Sequence, residues 1–214
     1  MSTLTTAKPF RPSDWINRGS AKLPSWLIYA GALAYALWLF YLGLTGGLGI
    51  EPIELLEHRY GKVALQFIVL GLAVTPLKVY ARINLQKHRR AIGVTAFGFV
   101  LAHLLVWALL DVQTLERVWA DILKRPYVTI GMASFLLLVP LALTSNNLSL
   151  RKLGGASWRK LHKLTYPAAV LGALHYVWLA KGFQYEPLIY TGLIGLLLLL
   201  RIDRVQRAWR QMRA

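Results

Sequence analysis

The stretch AIGVTAFGFVLAHLLVWALL, residues 91–110, runs for twenty residues without a charged side chain. Twenty residues of α-helix rise about 30 Å, which is the thickness of the hydrocarbon core of a membrane. The stretch therefore predicts a transmembrane helix. It also contains one histidine, His103, at a depth where ionisable side chains are rare and commonly have a function.

The composition of the whole chain agrees with a membrane protein. Of its 214 residues, 56% are hydrophobic and only 16% are charged, which is too apolar for an ordinary soluble domain and excludes a disordered chain. The chain has no cysteine. Disulfides, thiolate metal sites and iron–sulfur clusters held by cysteine are therefore excluded.

Gaps between charged residues predict five further spans, at residues 26–45, 63–77, 127–145, 164–180 and 187–200. The short predicted spans are flanked by lysine or arginine residues, and Arg201 is one of them. The long side chains of these residues can reach the membrane surface. The predicted fold is an all-α, polytopic membrane protein with six transmembrane helices. Residues 25–201 would form the membrane domain, with an N-terminal tail of residues 1–24 and a basic C-terminal tail of residues 202–214.

The basic residues predict the orientation of these spans, because cytoplasmic loops of membrane proteins retain an excess of lysine and arginine. Nineteen of the 25 lysines and arginines fall in the two tails and in segments 78–90 and 151–163, and six fall in the opposite loops. Both termini are therefore expected in the cytoplasm. The net charge of +16 follows from this topology and from contact with membrane lipid, so it does not indicate a nucleic-acid partner.

A second histidine, His175, matches His103 in depth. Each lies 12 or 13 residues after the nearest cytoplasmic basic residue, in spans that run in the same direction, which places both about 18–20 Å from that boundary. Either histidine alone is best interpreted as hydrogen-bonded between helices. Two at one depth, with no carboxylate or cysteine inside the spans, predict a bis-histidine haem instead, since a porphyrin supplies the other four ligands of the iron.

A third histidine, His162, lies 13 residues before His175, a rise of roughly 20 Å that suits a second haem nearer the cytoplasm. On an ideal helix the two side chains would point about 140° apart, but Pro167 between them can kink the helix. The partner of His162 is left open. His88 has a suitable depth, although its surroundings, QKHRR (86–90), favour a solvated loop.

Resemblance to a known family rests on four segments: GKVALQFIVLGLAVTPL (61–77), RRAIGVTAFGFVLAHLLVW (89–107), KRPYVTIGM (124–132) and WRKLHKLTYPAAVLGALHYVW (158–178). They resemble the MsrQ family, also called YedZ, of haem-binding membrane subunits in bacterial methionine sulfoxide reductase systems. The similarity covers nearly all of residues 26–205 in order. It also relates the chain to the wider ferric-reductase-like transmembrane group.

The resemblance implies b-type haem, one or two per chain, with His103, His162 and His175 as ligands, and it implies FMN as a second cofactor. Electrons would come from quinol or from a cytoplasmic flavin reductase. They would cross the bacterial inner membrane to a periplasmic molybdopterin subunit, MsrP, which reduces methionine sulfoxide in oxidised periplasmic proteins. Sulfoxide reduction itself would then take place on the partner.

Further expectations concern the electron donor and acceptor, the hydrogen bonds of the haem ligands and the loops that would bind the partner. The sequence has no GxGxxG motif, and LGGASW (153–158) is expected to be a loop, so the electron donor and acceptor are expected to be separate molecules. The ring N–H of each haem ligand is expected to bond a carbonyl one turn earlier in its own helix. Loops 46–60 and 111–126 are the expected dock for the periplasmic partner.

Two other functions are compatible with the same residues. One is a stand-alone ferric or other metal reductase that reduces a soluble substrate directly. The other is a non-redox transporter whose histidines are structural. The absence of Asp, Glu, Lys and Arg well inside the predicted spans weighs against the transporter, because coupled transporters commonly keep a charge there.

Overall fold

The computed structural model describes residues 11–180 and 183–212, and the regular structure within them is helical. Three of the basic residues counted for the topology, Lys8, Lys181 and Arg213, lie outside the described residues, as do the first ten residues of the predicted N-terminal tail.

Ten α-helices follow one another in the part of the chain that the structure describes. Their bounds are α1 (Pro12–Lys22), α2 (Trp26–Leu44), α3 (Pro52–Pro76), α4 (Arg89–Leu105), α5 (Leu115–Lys124), α6 (Pro126–Leu143), α7 (Asn147–Leu161), α8 (Thr165–Leu179), α9 (Tyr185–Leu199) and α10 (Asp203–Gln211).

Four of these helices, α2, α3, α4 and α6, are long and apolar enough to cross a membrane. Helices α8 and α9 are shorter, with 15 residues each. The predicted spans at 26–45, 127–145, 164–180 and 187–200 agree with the observed helices to within two residues at each end. The span predicted at 63–77 begins earlier, at Pro52, because the first turns of α3 carry charged residues that a search for uncharged gaps excludes.

Several helices are extended by turns of other helical types. Helix α3 continues into a π-helical stretch, Leu77–Ala81, and α4 into another, Val106–Val112. A 3₁₀ turn, His162–Leu164, joins α7 to α8. His162 thus lies in a turn of different pitch from the helix that carries His175. The separation of about 140° that an ideal continuous helix would give does not apply to this pair.

The core is built from two helix pairs, α3 against α4 and α6 against α8. They share a buried cluster that includes Leu72, Ala168, Ala169 and Ile194. Small side chains on α8 allow its neighbours to approach closely, which is the usual basis of helix packing in membranes. The Ser134 hydroxyl of α6 donates to the carbonyl of Ala168 at 2.8 Å, so the polar group buried between this pair is satisfied.

The described part of the predicted N-terminal tail is a folded element. The Asn17 side chain in α1 donates to the carbonyl of Arg82 and accepts from the backbone N–H of Asn84. The Lys87 ammonium group donates to the carbonyls of Ala21 and Leu23, at 2.7 and 2.9 Å. Helix α1 is therefore held against the segment that joins α3 to α4.

Both described end segments lie at the same end of the bundle. Helix α1 binds residues 82–84, and Trp209 of α10 packs edge-on against Tyr80, with ring centres 5.3 Å apart. The Tyr80 hydroxyl also donates to the carbonyl of Leu200 at 3.0 Å. The segment that follows α3 is thus the common contact of α1 and α10.

Two local expectations are wrong. The LGGASW segment is part of α7, which is broken at Gly154 by a φ of 74° and a ψ of 153°, a backbone conformation open to glycine. Arg201 was expected to reach the membrane surface, but its guanidinium turns back into the bundle. It donates to the carbonyls of Gly71 and Leu72 and to the hydroxyl of Tyr166, at 3.2, 3.0 and 3.1 Å.

Candidate functional site

The structure brings two of the predicted site residues together. His103 on α4 and His175 on α8 face each other with ring centres 6.1 Å apart and ring planes at 73°. Both line one cavity of about 730 Å³, which we call the histidine cavity. Its volume lies within the range of about 300–1,000 Å³ that small-molecule and cofactor sites occupy.

The histidine cavity has an apolar interior and a charged mouth. Its interior is formed by aliphatic and aromatic side chains, among them Ala64, Leu65, Ile68, Val100, Trp107, Val128 and Phe135. Its mouth carries charges of both signs: Glu54, Glu57, Arg59, Lys62, Asp111, Arg125 and Glu186. Lys62 and Glu186 form an ion pair there. An amphiphilic ligand with a large apolar body and charged groups at one edge matches this distribution.

Each of the two imidazoles is docked against the backbone of a neighbouring helix. The Nδ1 atom of His103 lies 2.9 Å from the carbonyl oxygen of Glu57 on α3. The Nδ1 atom of His175 lies 2.7 Å from the carbonyl oxygen of Tyr127 on α6. The expectation that the acceptor lies one turn earlier in the same helix is therefore wrong for both residues.

These contacts settle which nitrogen of each ring carries the proton. A carbonyl oxygen only accepts hydrogen bonds, so Nδ1 of His103 and Nδ1 of His175 must both donate. In a neutral imidazole the other nitrogen, Nε2, then holds a lone pair. This is the arrangement of a metal-binding histidine whose second nitrogen is fixed by a hydrogen bond.

The spacing of the rings suits one metal ion between them. Metal–imidazole nitrogen bonds of about 2 Å on opposite sides of an ion put the two ring centres roughly 6 Å apart, close to the 6.1 Å observed. Within the described residues no group of three or more His, Cys, Asp or Glu side chains could hold a metal ion. The donor set therefore fits a metal whose remaining ligands come from a macrocycle, such as the iron of haem.

His162 lies apart from this pair and does not line the histidine cavity. Its Nδ1 atom donates to the carbonyl of Trp158 at 3.0 Å, so for this histidine the acceptor one turn earlier is confirmed. Its ring stacks on that of Trp158, with centres 3.7 Å apart. Burial lowers the pKa of His162 and so favours the neutral ring, in which Nε2 carries a lone pair when Nδ1 donates.

His88 is not in a solvated loop, and that prediction is wrong. Its side chain is 6% exposed. The Nε2 atom lies 3.0 Å from the carbonyl oxygen of Ser20, to which it must donate, and Nδ1 lies 3.1 Å from the hydroxyl of Ser25. Both ring nitrogens are thus engaged with the N-terminal segment, and neither offers a free lone pair to a haem shared with His162.

The sequence interpretation missed the residues behind the two rings. Gly61 of α3 and Gly131 of α6 lie directly against the imidazoles of His103 and His175, next to the carbonyls that accept their protons. An isolated glycine within a helical pattern is a weak sign of close packing. Both glycines fall inside the segments that carry the family resemblance, yet nothing in the sequence shows which side chain each one faces.

Comparison with known proteins shows the family of this chain. A family model described as "Ferric reductase like transmembrane component" matches residues 60–173. A Brucella anthropi protein named "Protein-methionine-sulfoxide reductase heme-binding subunit MsrQ" is 43% identical over 198 residues, which cover 92% of this chain and 86% of the relative. Proteins of the same name from Brucella ovis and Brucella canis are each 45% identical over 195 residues, covering 91% of this chain and 84% of the relative. The chain therefore belongs to the MsrQ family, within the ferric-reductase-like transmembrane proteins.

Proposed function

We propose that this chain is the haem-binding, electron-transferring membrane subunit of a protein-methionine-sulfoxide reductase system. The observation that carries the proposal is the paired docking of His103 and His175. Each ring has its Nδ1 proton bound by a backbone carbonyl, and the two rings are spaced for one metal ion. A b-type haem held there would supply one-electron transfer between ferric and ferrous iron.

The chain's own residues would bind, orient and shield this cofactor. The carbonyls of Glu57 and Tyr127 would fix the tautomer and the orientation of the two imidazoles. The apolar interior of the histidine cavity would exclude water and so influence the redox potential. The cations at the mouth, Arg59, Lys62 and Arg125, would favour the carboxylates that a haem carries at one edge.

His162 is proposed as a ligand of a second haem. Its Nδ1 atom donates to the carbonyl of Trp158, an arrangement that leaves Nε2 of a neutral ring to bind a metal. The Ser145 hydroxyl, 3.5 Å from Nε2, already donates to the carbonyl of Leu141 at 2.6 Å, which leaves the Nε2 lone pair weakly engaged. His88 is not proposed as the opposite ligand, because its two nitrogens bind Ser20 and Ser25.

The proposed setting is the inner membrane of a bacterium, with six spans and both termini in the cytoplasm. Residues 25–201 would be the membrane domain, between cytoplasmic segments 1–24 and 202–214. Support comes from the four helices of spanning length, from the common end that α1 and α10 share, and from the excess of basic residues in the segments at that end.

The proposed electron path begins at quinol or at a cytoplasmic flavin reductase and ends at a periplasmic molybdopterin subunit, MsrP, that repairs oxidised proteins. The histidine cavity opens between residues 54–62, 111 and 125, and 184–186, on the side away from α1 and α10. That is the proposed docking side for the periplasmic partner. FMN is proposed as a further cofactor, with its phosphate favoured by the basic segments 78–90 or 151–163.

The absorption spectrum of the purified protein, expressed with ample haem, tests the haem site. We expect a reduced b-type spectrum that is lost or strongly altered in His103→Ala and in His175→Ala. The matched control is His58→Ala, which removes another histidine lining the same cavity and should leave the spectrum unchanged. A reduced spectrum that survives both ligand substitutions without change would refute the proposed ligands.

A stand-alone metal reductase is the second candidate, since the charged mouth of the histidine cavity is also open to small soluble ions. The two functions differ in the acceptor. Chemically reduced protein should be reoxidised rapidly by the periplasmic molybdopterin subunit and slowly by ferric chelates of the same concentration. The opposite order of rates would favour the metal reductase.

A further inference from the structure

Two glycines occupy equivalent positions behind the two imidazoles of the histidine cavity. A Cβ atom built on Gly61 would lie 3.1 Å from Nδ1 of His103, and one built on Gly131 would lie 2.8 Å from Nδ1 of His175. Ordinary contacts of Cβ atoms fall at 3.4–4 Å. Any larger residue would therefore meet the ring at either position, and the conflict is more severe at Gly131.

The glycines stand in the same relation to the hydrogen bonds of the two rings. Gly61 is four residues after Glu57, and Gly131 is four residues after Tyr127, and these two residues supply the accepting carbonyls. Residues four apart lie above one another on the same face of an α-helix. Each imidazole thus lies across a single helical turn. Its Nδ1–H donates a hydrogen bond to the carbonyl at one end of the turn, and its edge lies over the glycine at the other end.

The same arrangement of glycine and carbonyl occurs behind both rings, so chance packing is an inadequate explanation for it. The local sequences, EHRYG (57–61) and YVTIG (127–131), share only the final glycine, and they belong to different helices of different pairs. Both helices nevertheless present the same combination, a backbone carbonyl that accepts a hydrogen bond from the ring and a missing side chain, to the helix packed against them.

We propose that Gly61 and Gly131 are positioning residues. They let each imidazole approach the neighbouring helix closely enough for its Nδ1–H to donate a hydrogen bond to a backbone carbonyl, which turns Nε2 toward the cavity. This rests on the proposed haem site, since its readout is the bound haem. The glycines touch no haem in this role and act only through His103 and His175.

Replacement of either glycine by alanine should push the ring away from the helix and lengthen or break the Nδ1 hydrogen bond. An imidazole that donates from Nδ1 is a stronger electron donor to its metal. Loss of that bond should therefore raise the haem midpoint potential and disturb the ligand field. From the two Cβ distances, Gly131→Ala should have the larger effect and Gly61→Ala the smaller.

Suitable controls are glycines with room for a methyl group. At Gly71, on the same helix as Gly61, a Cβ atom would make an ordinary contact of 3.6 Å with Ile92. At Gly98, on the same helix as His103, no atom lies within 4 Å. Alanine favours helix over glycine at every one of these positions, so a loss seen only at Gly61 and Gly131 cannot come from helix propensity.

The experiment compares the four Gly→Ala variants with the wild-type protein by haem-to-protein ratio, redox titration and electron paramagnetic resonance of the oxidised haem. We expect Gly71→Ala and Gly98→Ala to match the wild type. Gly131→Ala should lose at least half of its haem or show a raised midpoint potential and shifted low-spin signals. Gly61→Ala should keep more haem and shift in the same direction.

The outcomes separate this proposal from the proposed function. A wild-type protein without haem would refute the haem site itself. A wild type with haem, together with Gly61→Ala and Gly131→Ala variants that match the controls in content, potential and signals, would refute only the positioning role. The melting temperature of the haem-free variants reports folding, and if Gly131→Ala does not fold, the milder Gly61→Ala variant still decides between the two outcomes.

Discussion

The imidazoles of His103 and His175 lie 6.1 Å apart between ring centres, and each is held from behind by the backbone of a different helix. The hydrogen bonds that orient the rings go to backbone carbonyls. The carbonyls that receive the Nδ1 protons belong to α3 and α6, which pack against the helices carrying the histidines. The geometry of the pair is therefore set by the packing of the two helix pairs, before any cofactor binds.

The first prediction concerns replacement of one ring by a free ligand. His175→Gly should lower haem affinity by more than about 100-fold, since loss of outer partners alone costs metal sites about 10–100-fold. Because the histidine cavity opens at a charged mouth, free imidazole in the buffer should enter and restore a low-spin spectrum. His58→Ala, the control, should show no response to imidazole. A His175→Gly protein with normal haem and no response would contradict the assignment.

The proximity of His103 and His175 was predictable from the sequence, while the contacts of their rings were not. Depth along a helix follows from residue number at a fixed rise, and that arithmetic was enough to match His103 with His175. Which carbonyl accepts the Nδ1 proton depends on the rotation of one helix against another. The nearest acceptor in sequence, one turn earlier, is used by His162 alone.

The second prediction is that His162→Ala leaves the proposed haem between His103 and His175 in place. His162 lies outside the histidine cavity, in the turn before α8. The absorption and redox signals that His175→Gly removes should therefore survive in His162→Ala, while any second haem is lost. Trp158→Phe loses the indole hydrogen bond to the carbonyl of Thr144 but retains an aromatic ring to stack on His162, so it should keep the haem signals of the wild type. Loss of all haem from a folded His162→Ala protein would contradict this.

The third prediction concerns the hydrogen bonds between His88 and the N-terminal segment that contains α1. His88→Ala removes the part-buried bonds to Ser20 and Ser25, and an ordinary hydrogen bond contributes about 0.5–1.5 kcal/mol to stability. Hydrogen exchange in residues 12–22 should become faster, with little change in the haem spectrum. The exposed neighbour Arg90 provides the control, since Arg90→Ala should leave the exchange of α1 unchanged. Equal exchange rates in the two variants would count against the role of His88.

The fold was predictable where apolar length decides it and less so elsewhere. Uncharged gaps located α2, α6, α8 and α9 closely, because burial in a membrane excludes charge from the middle of a span. The same rule truncated α3, whose first turns are charged but still helical. It also could not show that residues 12–22 fold back onto residues 82–88, since that contact depends on hydrogen bonds between distant polar residues.

The fourth prediction concerns Arg201, whose guanidinium binds the carbonyl of Leu72 at 3.0 Å. Residue 76, which would normally donate to that carbonyl within α3, is a proline and has no N–H. Leu72 itself is fully buried, so no water can take over. Arg201→Ala should therefore destabilise the protein by about 1.5–3 kcal/mol, the range for hydrogen bonds to charged groups.

A double-mutant cycle with Pro76 tests this cause directly. Pro76→Ala restores a backbone N–H four residues after Leu72, so Arg201→Ala should cost less in the Pro76→Ala background than in the wild type. The coupling energy, measured from thermal unfolding in detergent, should be about 0.5–1.5 kcal/mol. Pro140→Ala is the matched control: it changes a proline inside α6, a helix that Arg201 does not bind, and its effect should add to that of Arg201→Ala. An equal cost of Arg201→Ala in all three backgrounds would show that Arg201 stabilises the bundle by some route other than the carbonyl freed by Pro76.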